Sequence, residues 1–179
     1  MDAQLQEMLD HYAITRLLAD YAHACDRCDT ERMAATYWPD SWDDHGRDKM
    51  PGPEFSVYMT RDVIPASCET LSHLLGQTRI VLDGDRAGAE TYYIAVTRDA
   101  APDGAPRCNQ LGGRYVDQIE RRSGEWRIKR RTCLRDWSVS MAVADDYFAH
   151  AELTPGARSG ADPSYPVLGW THSAGTSTG

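Results

Sequence analysis

The chain has 179 residues, a length typical of one domain and sufficient to bury a sizeable core. Its 27 acidic and 19 basic residues give a net charge of -8, which argues against a surface that binds nucleic acid or an anionic membrane. No apolar run approaches the roughly 20 residues of a membrane span, and we expect no secretion signal, because the N-terminus starts directly as a polar-faced helix. The five cysteines, an odd number spread along the chain, favour a reducing cytoplasm over a disulfide framework.

The first third of the chain has the spacing of helices. Apolar residues between positions 5 and 25 recur mostly at three- and four-residue steps, which predicts an amphipathic helix. A second helix is expected over residues 30–37, with Asp29 or Thr30 as its N-cap. A third helix is expected from residue 54 to about residue 67, because a proline lies in its first turn, where the missing N–H costs least.

From Thr70 onward the period of the apolar residues becomes two, which predicts strands. The expected strands begin at residues 70, 87, 108 and 125 and are joined by a turn at 83–85, a loop at 99–107 and a tight hairpin turn at Ser123-Gly124. The pair Gly112-Gly113 predicts a bulge or bend within the third of these strands.

The C-terminal part of the chain differs in composition. A short helix over about 141–151 is expected to follow the last strand, which should end near Ser138. From Leu153 the chain is rich in Pro, Gly, Ser and Thr, which predicts an extended tail. Its isolated anchors would be Tyr165, Val167, Leu168 and Trp170. We therefore divide the chain into a domain of residues 1–152 and a tail of residues 153–179.

Helices followed by hairpin-connected strands predict an α+β fold, in which a long sheet bends around the helices and leaves a pocket. His73 shares one strand face with Leu71 and Leu75, so it should line this pocket. An imidazole becomes an effective base when a carboxylate fixes its tautomer and stabilises its protonated form, and Asp26, at the corner between the first two helices, is the obvious partner. The alternative is that His73 only packs and Asp26 only solvates the turn.

Three further residues carry polar groups suited to catalysis. Tyr21 lies five residues before Asp26, a net rotation of about 140° on a continuous helix, so both reach one pocket only if the helix frays near Cys25. The alternative for Tyr21 is a core aromatic. Arg131 and Arg135 lie on the same side of the last strand and could hold an oxyanion or carboxylate, the alternative being a solvated basic face.

Aromatic walls for the pocket could come from a set of large side chains, most of which would be ordinary core in the alternative view. The set that we take as substrate-binding, together with Arg131, is Trp38, Trp42, Tyr92 and Tyr115. Residues 41–46 are expected to form a short strand or loop. Asp43, Asp44, His45 and Asp48 offer metal-ligand types but no recognisable spacing, so we interpret them as a polar loop near the pocket mouth and expect no metal and no cofactor.

Four motifs occur in a characteristic order: Tyr21-x4-Asp26, residues 72–76 (SHLLG), residues 112–117 (GGRYVD) and residues 123–126 (SGEW). With this order and spacing, the chain resembles the SnoaL-like branch of the nuclear-transport-factor-2-like (NTF2-like) superfamily over about residues 5–150. The resemblance implies a cone-shaped α+β fold, with three N-terminal helices packed in a strongly curved, mostly antiparallel sheet that encloses a pocket.

Within that superfamily the chain is most similar to the lyases, namely scytalone dehydratase, hexachlorocyclohexane dehydrochlorinase and bile acid 7α-dehydratase. The resemblance implies that Asp26 and His73 match their shared aspartate and histidine. Tyr21 and Arg135 match the tyrosine and arginine of the bile acid enzyme, whereas Arg131 matches the arginine of the dehydrochlorinase. Residues 90–98 lack the second histidine of scytalone dehydratase, so the water-activating groups of that enzyme are not expected here.

The resulting hypothesis is a cofactor-independent, dehydratase-type lyase of aromatic compound metabolism that acts on a small aromatic or polycyclic substrate. His73, held by Asp26, would remove a proton, and Tyr21 and Arg135 would stabilise the developing oxyanion or protonate the leaving group. The alternatives are an isomerase or cyclase with the same base, or a non-catalytic small subunit of a ring-hydroxylating dioxygenase. The resemblance also implies a homotrimer, with a dimer as second choice, and we expect a cytoplasmic location.

Overall fold

The computed structural model describes residues 2–143 and 153–173 of the chain. The helices are α1 (Ala3–Asp26), α2 (Thr30–Ala35), α3 (Gly52–Tyr58), α4 (Ile64–Ser67) and α5 (Ser164–Leu168), and a π-helical turn, Met59–Val63, joins α3 to α4. The strands are β1 (Tyr37–His45), β2 (Asp48–Met50), β3 (Thr70–Asp83), β4 (Arg86–Ala100), β5 (Pro106–Arg122) and β6 (Glu125–Ala142). None of the helices in this described part has both the length and the apolar character needed to cross a bilayer.

The helical N-terminus follows the predicted pattern. Asp2 caps α1 by accepting a hydrogen bond from the backbone N–H of Gln4. The second half of α1 buries residues at three- and four-residue steps, among them Ile14, Leu18 and Tyr21. Asp29 caps α2 by accepting from the N–H of Arg32, as predicted. The apolar residues of the first two turns of α1 remain exposed, so only its C-terminal half packs into the core.

One six-stranded sheet forms the other layer, in the order β2-β1-β6-β5-β4-β3. All neighbouring strands are antiparallel except β1 and β6, which run parallel. Register shifts interrupt the ladders at Leu75/Thr78, Gln118/Ile119 and the predicted Gly112/Gly113 position. The long strands bend there, and the curved, unclosed sheet packs against α1. The predicted α+β, NTF2-like cone is confirmed.

Several local expectations differ from the structure. Residues 37–45 form strand β1, so the short strand or loop expected over residues 41–46 is a strand, and the interpretation of Asp43 as part of a polar loop was wrong, because its side chain is completely buried. β6 continues to Ala142, four residues past the expected end, because its partner β5 also starts early, at Pro106. The helix expected over 141–151 is therefore wrong at residues 141 and 142, and most of the remainder lies outside the described residues.

The C-terminal segment packs on its own chain. Tyr165 is buried and donates its hydroxyl to Asp29 at 2.9 Å, and the hydroxyl of Ser173 donates to the same carboxylate at 2.6 Å. The indole of Trp170 stacks on the guanidinium of Arg32, 3.9 Å from the ring centroid. Tyr165 and Trp170 thus act as the predicted anchors of this chain on its α1–α2 corner. Val167 and Leu168 were also expected to be anchors, and this was wrong, because both side chains are exposed. They belong to the short helix α5, which forms where an extended tail was expected.

The bend in β5 requires glycine at position 113. A Cβ atom there would lie 1.9 Å from the carbonyl oxygen of Leu134 and 3.0 Å from the hydroxyl of Tyr93, so the backbone of β6 would have to move. We expect Gly113→Ala to lower the free energy of unfolding by about 1–3 kcal/mol in urea denaturation, as overpacking does.

Gly88→Ala is the matched control, because nothing lies within 4 Å of a Cβ at this position on neighbouring β4. We expect its effect to stay within about 0.5 kcal/mol. Equal effects of the two substitutions would contradict the close approach of β5 and β6.

Candidate active site

A carboxylate–imidazole pair forms where the end of α1 meets β3. Nδ1 of His73 lies 2.6 Å from Oδ1 of Asp26, and the backbone N–H of His73 donates to Oδ2 at 2.9 Å. Because a carboxylate only accepts, Nδ1 carries the proton and Nε2 of the neutral ring keeps its lone pair. The two side chains are only 8% and 11% exposed, so the pair is held away from bulk water.

Buried tyrosines surround this pair. The rings of Tyr93 and Tyr115 stack with their centroids 4.4 Å apart, and they lie 6.2 and 6.4 Å from the ring of His73. Tyr21 contacts Tyr115 edge-on at 5.7 Å and Tyr37 at 6.0 Å. Burial raises the pKa of Tyr21, Tyr37 and Tyr115 well above the ordinary value of a phenol. These hydroxyls therefore remain neutral hydrogen-bond donors.

Arg131 lies under the same tyrosines, fully buried. Its Nε and Nη2 donate to the two carboxylate oxygens of Asp117, at 2.8 and 2.7 Å. Its guanidinium carbon lies 4.0 and 4.1 Å from the ring centroids of Tyr21 and Tyr115. Although burial opposes the charge, Asp117 keeps the pKa of Arg131 well above its usual value. In the described part of the chain the remaining nitrogen, Nη1, has no hydrogen-bond partner.

Arg135 occupies a different place on the same strand face. The ladder pairs Arg131 with Asp117 and Arg135 with Gly113 without an intervening shift, so the two side chains lie on the same side of β6, as predicted. Arg135, however, is exposed, and it lines a cavity of about 510 Å³ with His45 and Cys133. The structure thus places Arg131 in the core and Arg135 at the open end of the sheet.

Three of the expected aromatic walls do not reach the pair. Trp38 donates its indole N–H to the carbonyl of Glu120, near the far hairpin. Trp42 is exposed, and Tyr92 is exposed on the outer face of β4. The inward position on β4 belongs to Tyr93, which the sequence reasoning missed. A signal for this was present in the sequence: the alanines at 87, 89 and 95 are an even number of residues from Tyr93, so all four side chains lie on the same, inward face of β4.

A second carboxylate–imidazole pair was also missed. Oδ1 of Asp43 contacts Nδ1 of His45, and Oδ2 accepts from the hydroxyl of Tyr37 at 2.5 Å. The sequence could have indicated this pair, because residues two apart, such as Asp43 and His45, lie on the same face of a strand. Within residues 2–143 and 153–173, no three His, Cys, Asp or Glu side chains come close enough to hold a metal ion.

Comparison with known proteins shows which family has this α+β cone. Residues 6–132 match the model of the SnoaL-like domain, which covers well over half of the chain, so the protein belongs to the SnoaL-like domain family. No curated protein is a significant sequence match to the chain.

Solved structures show the same fold. The hexachlorocyclohexane dehydrochlorinase LinA-type3 from Novosphingobium barchaimii superposes with a TM-score of 0.70 at 17% identity, covering 86% of this chain and 99% of that one. A scytalone dehydratase-like protein from Novosphingobium aromaticivorans gives 0.66 at 20% identity, covering 76% and 91%. A β subunit of the aromatic-ring-hydroxylating dioxygenase type from the same organism gives 0.58 at 22% identity, covering 73% and 92%. At these identities the likeness is one of fold.

The buried ion pair allows a stability test. Asp117→Asn leaves the charge of Arg131 buried without a counter-ion, which should lower the free energy of unfolding by about 3–5 kcal/mol. Urea denaturation followed by circular dichroism would measure this change.

Asp136→Asn is the matched control, because Asp136 forms an exposed ion pair with Arg114 on the same pair of strands. Breaking an exposed pair should cost at most about 1 kcal/mol. A silent Asp117→Asn substitution would show that Arg131 does not depend on this carboxylate.

Proposed function

We propose that this protein is a cofactor-independent lyase in which His73 is the general base. The observation that carries the proposal is the use of both Asp26 oxygens, one on Nδ1 of His73 and one on its backbone N–H. This arrangement leaves Nε2 as the only free basic nitrogen of the ring. It also supplies a negative charge that stabilises the imidazolium once a proton is taken.

In the proposed reaction, Nε2 removes a proton from a carbon next to an activating group. The electron pair of that C–H bond becomes the new double bond, and the leaving group departs from the neighbouring carbon with its own pair. Asp26 is the positioning residue of this step. The rings of Tyr93 and Tyr115, within 6.4 Å of His73, support a small aromatic or polycyclic substrate from aromatic compound metabolism.

The other polar groups proposed for catalysis differ in their exposure to solvent. Arg135, exposed at the open end, is free to hold an oxyanion or carboxylate of the substrate. Arg131 is bound to Asp117, and both Arg131 and Tyr21 pack against the ring of Tyr115 inside the core. We therefore assign substrate contact to Arg135 and Tyr115, and support of Tyr115 to Tyr21 and Arg131.

An isomerase or cyclase would use the same base but lose no group, so the products of turnover distinguish it from a lyase. The likeness to the dioxygenase-type β subunit favours a second candidate, a non-catalytic subunit. Such a subunit needs no oriented imidazole, and the doubly bound Asp26–His73 pair weighs against it.

The test of the base is His73→Ala assayed on a panel of hydroxylated aromatic ketones and chlorinated cyclohexanes, followed by mass spectrometry of the products. We expect turnover to fall by roughly 10²- to 10⁴-fold, the usual contribution of a positioned general base. Asp26→Asn should lower turnover as well, because the mis-set tautomer directs the wrong nitrogen at the substrate.

Cys108→Ser, on the far part of β5, is the matched control and should leave turnover unchanged. Near-full activity of His73→Ala on a substrate that the native protein converts would refute the proposed role. The absence of turnover on every member of the panel would favour the subunit.

We also propose a homotrimer, or else a dimer, formed through the outer face of the sheet in the cytoplasm. The register pairs Leu74 with Ile94, Ile94 with Gly112 and Gly112 with Trp137, so their side chains share this outer face. Exposed apolar side chains continue it at Tyr92 and Val139. A contiguous apolar surface of this kind is typical of an interface. All five cysteines are free thiols, which supports a reducing compartment.

Light scattering at micromolar concentration should therefore give a mass near three times 20.0 kDa. Val139→Arg should shift it toward the monomer, because a charge would be buried in the interface. Val167→Arg, an equally drastic change on the exposed side of α5, should leave the mass unchanged. A native protein that is monomeric under these conditions would refute the assembly.

A further inference from the structure

The second carboxylate–imidazole pair belongs to a larger array that the proposed lyase reaction does not use. The parallel pairing of β1 with β6 sets Asp43 opposite Arg131, which brings His45, two residues on, beside Cys133. Asp43 is fully buried and held by the hydroxyl of Tyr37. The ring of His45 stacks on Phe55 with the centroids 4.4 Å apart. The imidazole is therefore fixed on one side by a carboxylate and on one face by an aromatic ring.

The third member is the thiol of Cys133. The register of β1 against β6 places this thiol beside the imidazole of His45, the two line one cavity, and the hydroxyl of Tyr93 lies 3.3 Å from Sγ. Carboxylate, imidazole and thiol thus follow one another as Asp43, His45 and Cys133, an order that activates a cysteine nucleophile. We call this array the Cys133 triad.

The charges of the triad support an ion pair at neutral pH. Burial opposes a charged ring at His45, but the hydrogen bonds to Asp43 and Cys133 outweigh it and raise the pKa of His45 to about 9. Burial likewise opposes a thiolate at Cys133, yet the hydrogen bond and charge of His45 lower its pKa below the ordinary thiol value. Both shifts favour imidazolium and thiolate together.

Other titratable or charged groups face the same sulfur from the elements around it. They are Tyr21 on α1, Tyr93 on β4, Tyr115 on β5, and Arg131 and Arg135 on its own strand. The three phenols have pKa values raised by burial and remain neutral, so the charges within this set are those of the two arginines. They reinforce the thiolate.

The triad opens into the cavity of about 510 Å³, which is large enough for a small organic molecule. Besides His45 and Cys133, its lining carries the cations Arg47 and Arg135 and one carboxylate, Asp48. The balance of these charges is positive, so an anionic ligand fits the cavity better than a neutral or cationic one. A guanidinium at the rim is suited to a carboxylate in particular.

We propose that Cys133 is the nucleophile of a second reactive site, which takes small electrophiles that carry a carboxylate. The thiolate sulfur forms a bond to the electrophilic carbon, and the leaving group departs from that carbon with the bonding pair. The proton of the former thiol stays on His45, so neither oxidant nor reductant is required. Arg135 holds the carboxylate during this step.

This site has reactive groups of its own and shares only Arg135 with the proposed lyase reaction. The rings of His45 and His73 lie 6.2 and 6.4 Å from the ring of Tyr115, and each imidazole has its own carboxylate, Asp43 for His45 and Asp26 for His73. The proposal therefore does not depend on lyase activity, and its test measures alkylation of the protein rather than turnover.

The test uses iodoacetate and its neutral analogue iodoacetamide, with peptide mapping by mass spectrometry to resolve the five cysteines. At pH 7 we expect Cys133 to react at least about tenfold faster than half-buried Cys108, because the rate follows the thiolate fraction. Relative to Cys108, Cys133 should also favour iodoacetate over iodoacetamide.

Two variants separate the contributions. His45→Asn should slow labelling of Cys133 by about tenfold at pH 7, and the difference should vanish near pH 9.5, where an ordinary thiol also ionises. Arg135→Gln, an exposed substitution that leaves the core intact, should remove the preference for iodoacetate without changing the rate with iodoacetamide.

Labelling of Cys133 no faster than that of Cys108 at pH 7 would overturn the activated thiolate. An unchanged preference in Arg135→Gln would overturn the carboxylate site. If His45→Asn does not fold, the pH profile of the native protein decides alone: an inflection for Cys133 below that for Cys108 supports the ion pair, and coincident inflections refute it.

Discussion

The ion pair between Arg131 and Asp117 is the interaction on which the interior of this protein depends. A guanidinium without exposure to solvent is tolerable only with a counter-ion and close partners, and Asp117 supplies two hydrogen bonds while the rings of Tyr21 and Tyr115 pack against the guanidinium. The Arg131–Asp117 pair therefore fixes the positions of the Tyr21 and Tyr115 rings. Because Tyr21 comes from α1 and Tyr115 from β5, it also sets how the helix packs on the sheet.

The same tyrosines also pack near two imidazoles, so their positions affect both histidines. Tyr115 stacks on Tyr93 and lies within 6.4 Å of both His45 and His73. Each histidine is oriented by a buried carboxylate, but their surroundings differ. His73 has a free basic nitrogen among phenol rings, which suits proton abstraction. His45 is paired with a thiol and opens toward cations, which suits stabilisation of a thiolate.

Local rules accounted for the elements of this fold. Apolar periodicity and turn residues located α1, the long strands and the hairpin at Ser123-Gly124, since these depend on near neighbours along the chain. The same rules left β1 open between a short strand and a loop, and they failed for Asp43, because an acidic residue is typically exposed. Asp43 is buried there because Tyr37 and His45 satisfy both of its oxygens. Tyr37 lies six residues before Asp43, and the two side chains meet only because of the way the backbone of β1 runs.

The sequence by itself determined the α+β class, the first helix and the order of the four long strands, because periods of 3.6 and 2 are properties of the local chain. It also singled out Asp26 and His73, from the chemistry of a carboxylate beside an imidazole and from the family resemblance, although 47 residues separate them. Tertiary structure decided their contact, the burial of Arg131 beside the exposure of Arg135, and the meeting of His45 with Cys133. These depend on which strands become neighbours and how deep each residue lies under α1, and no local pattern encodes a contact between distant segments.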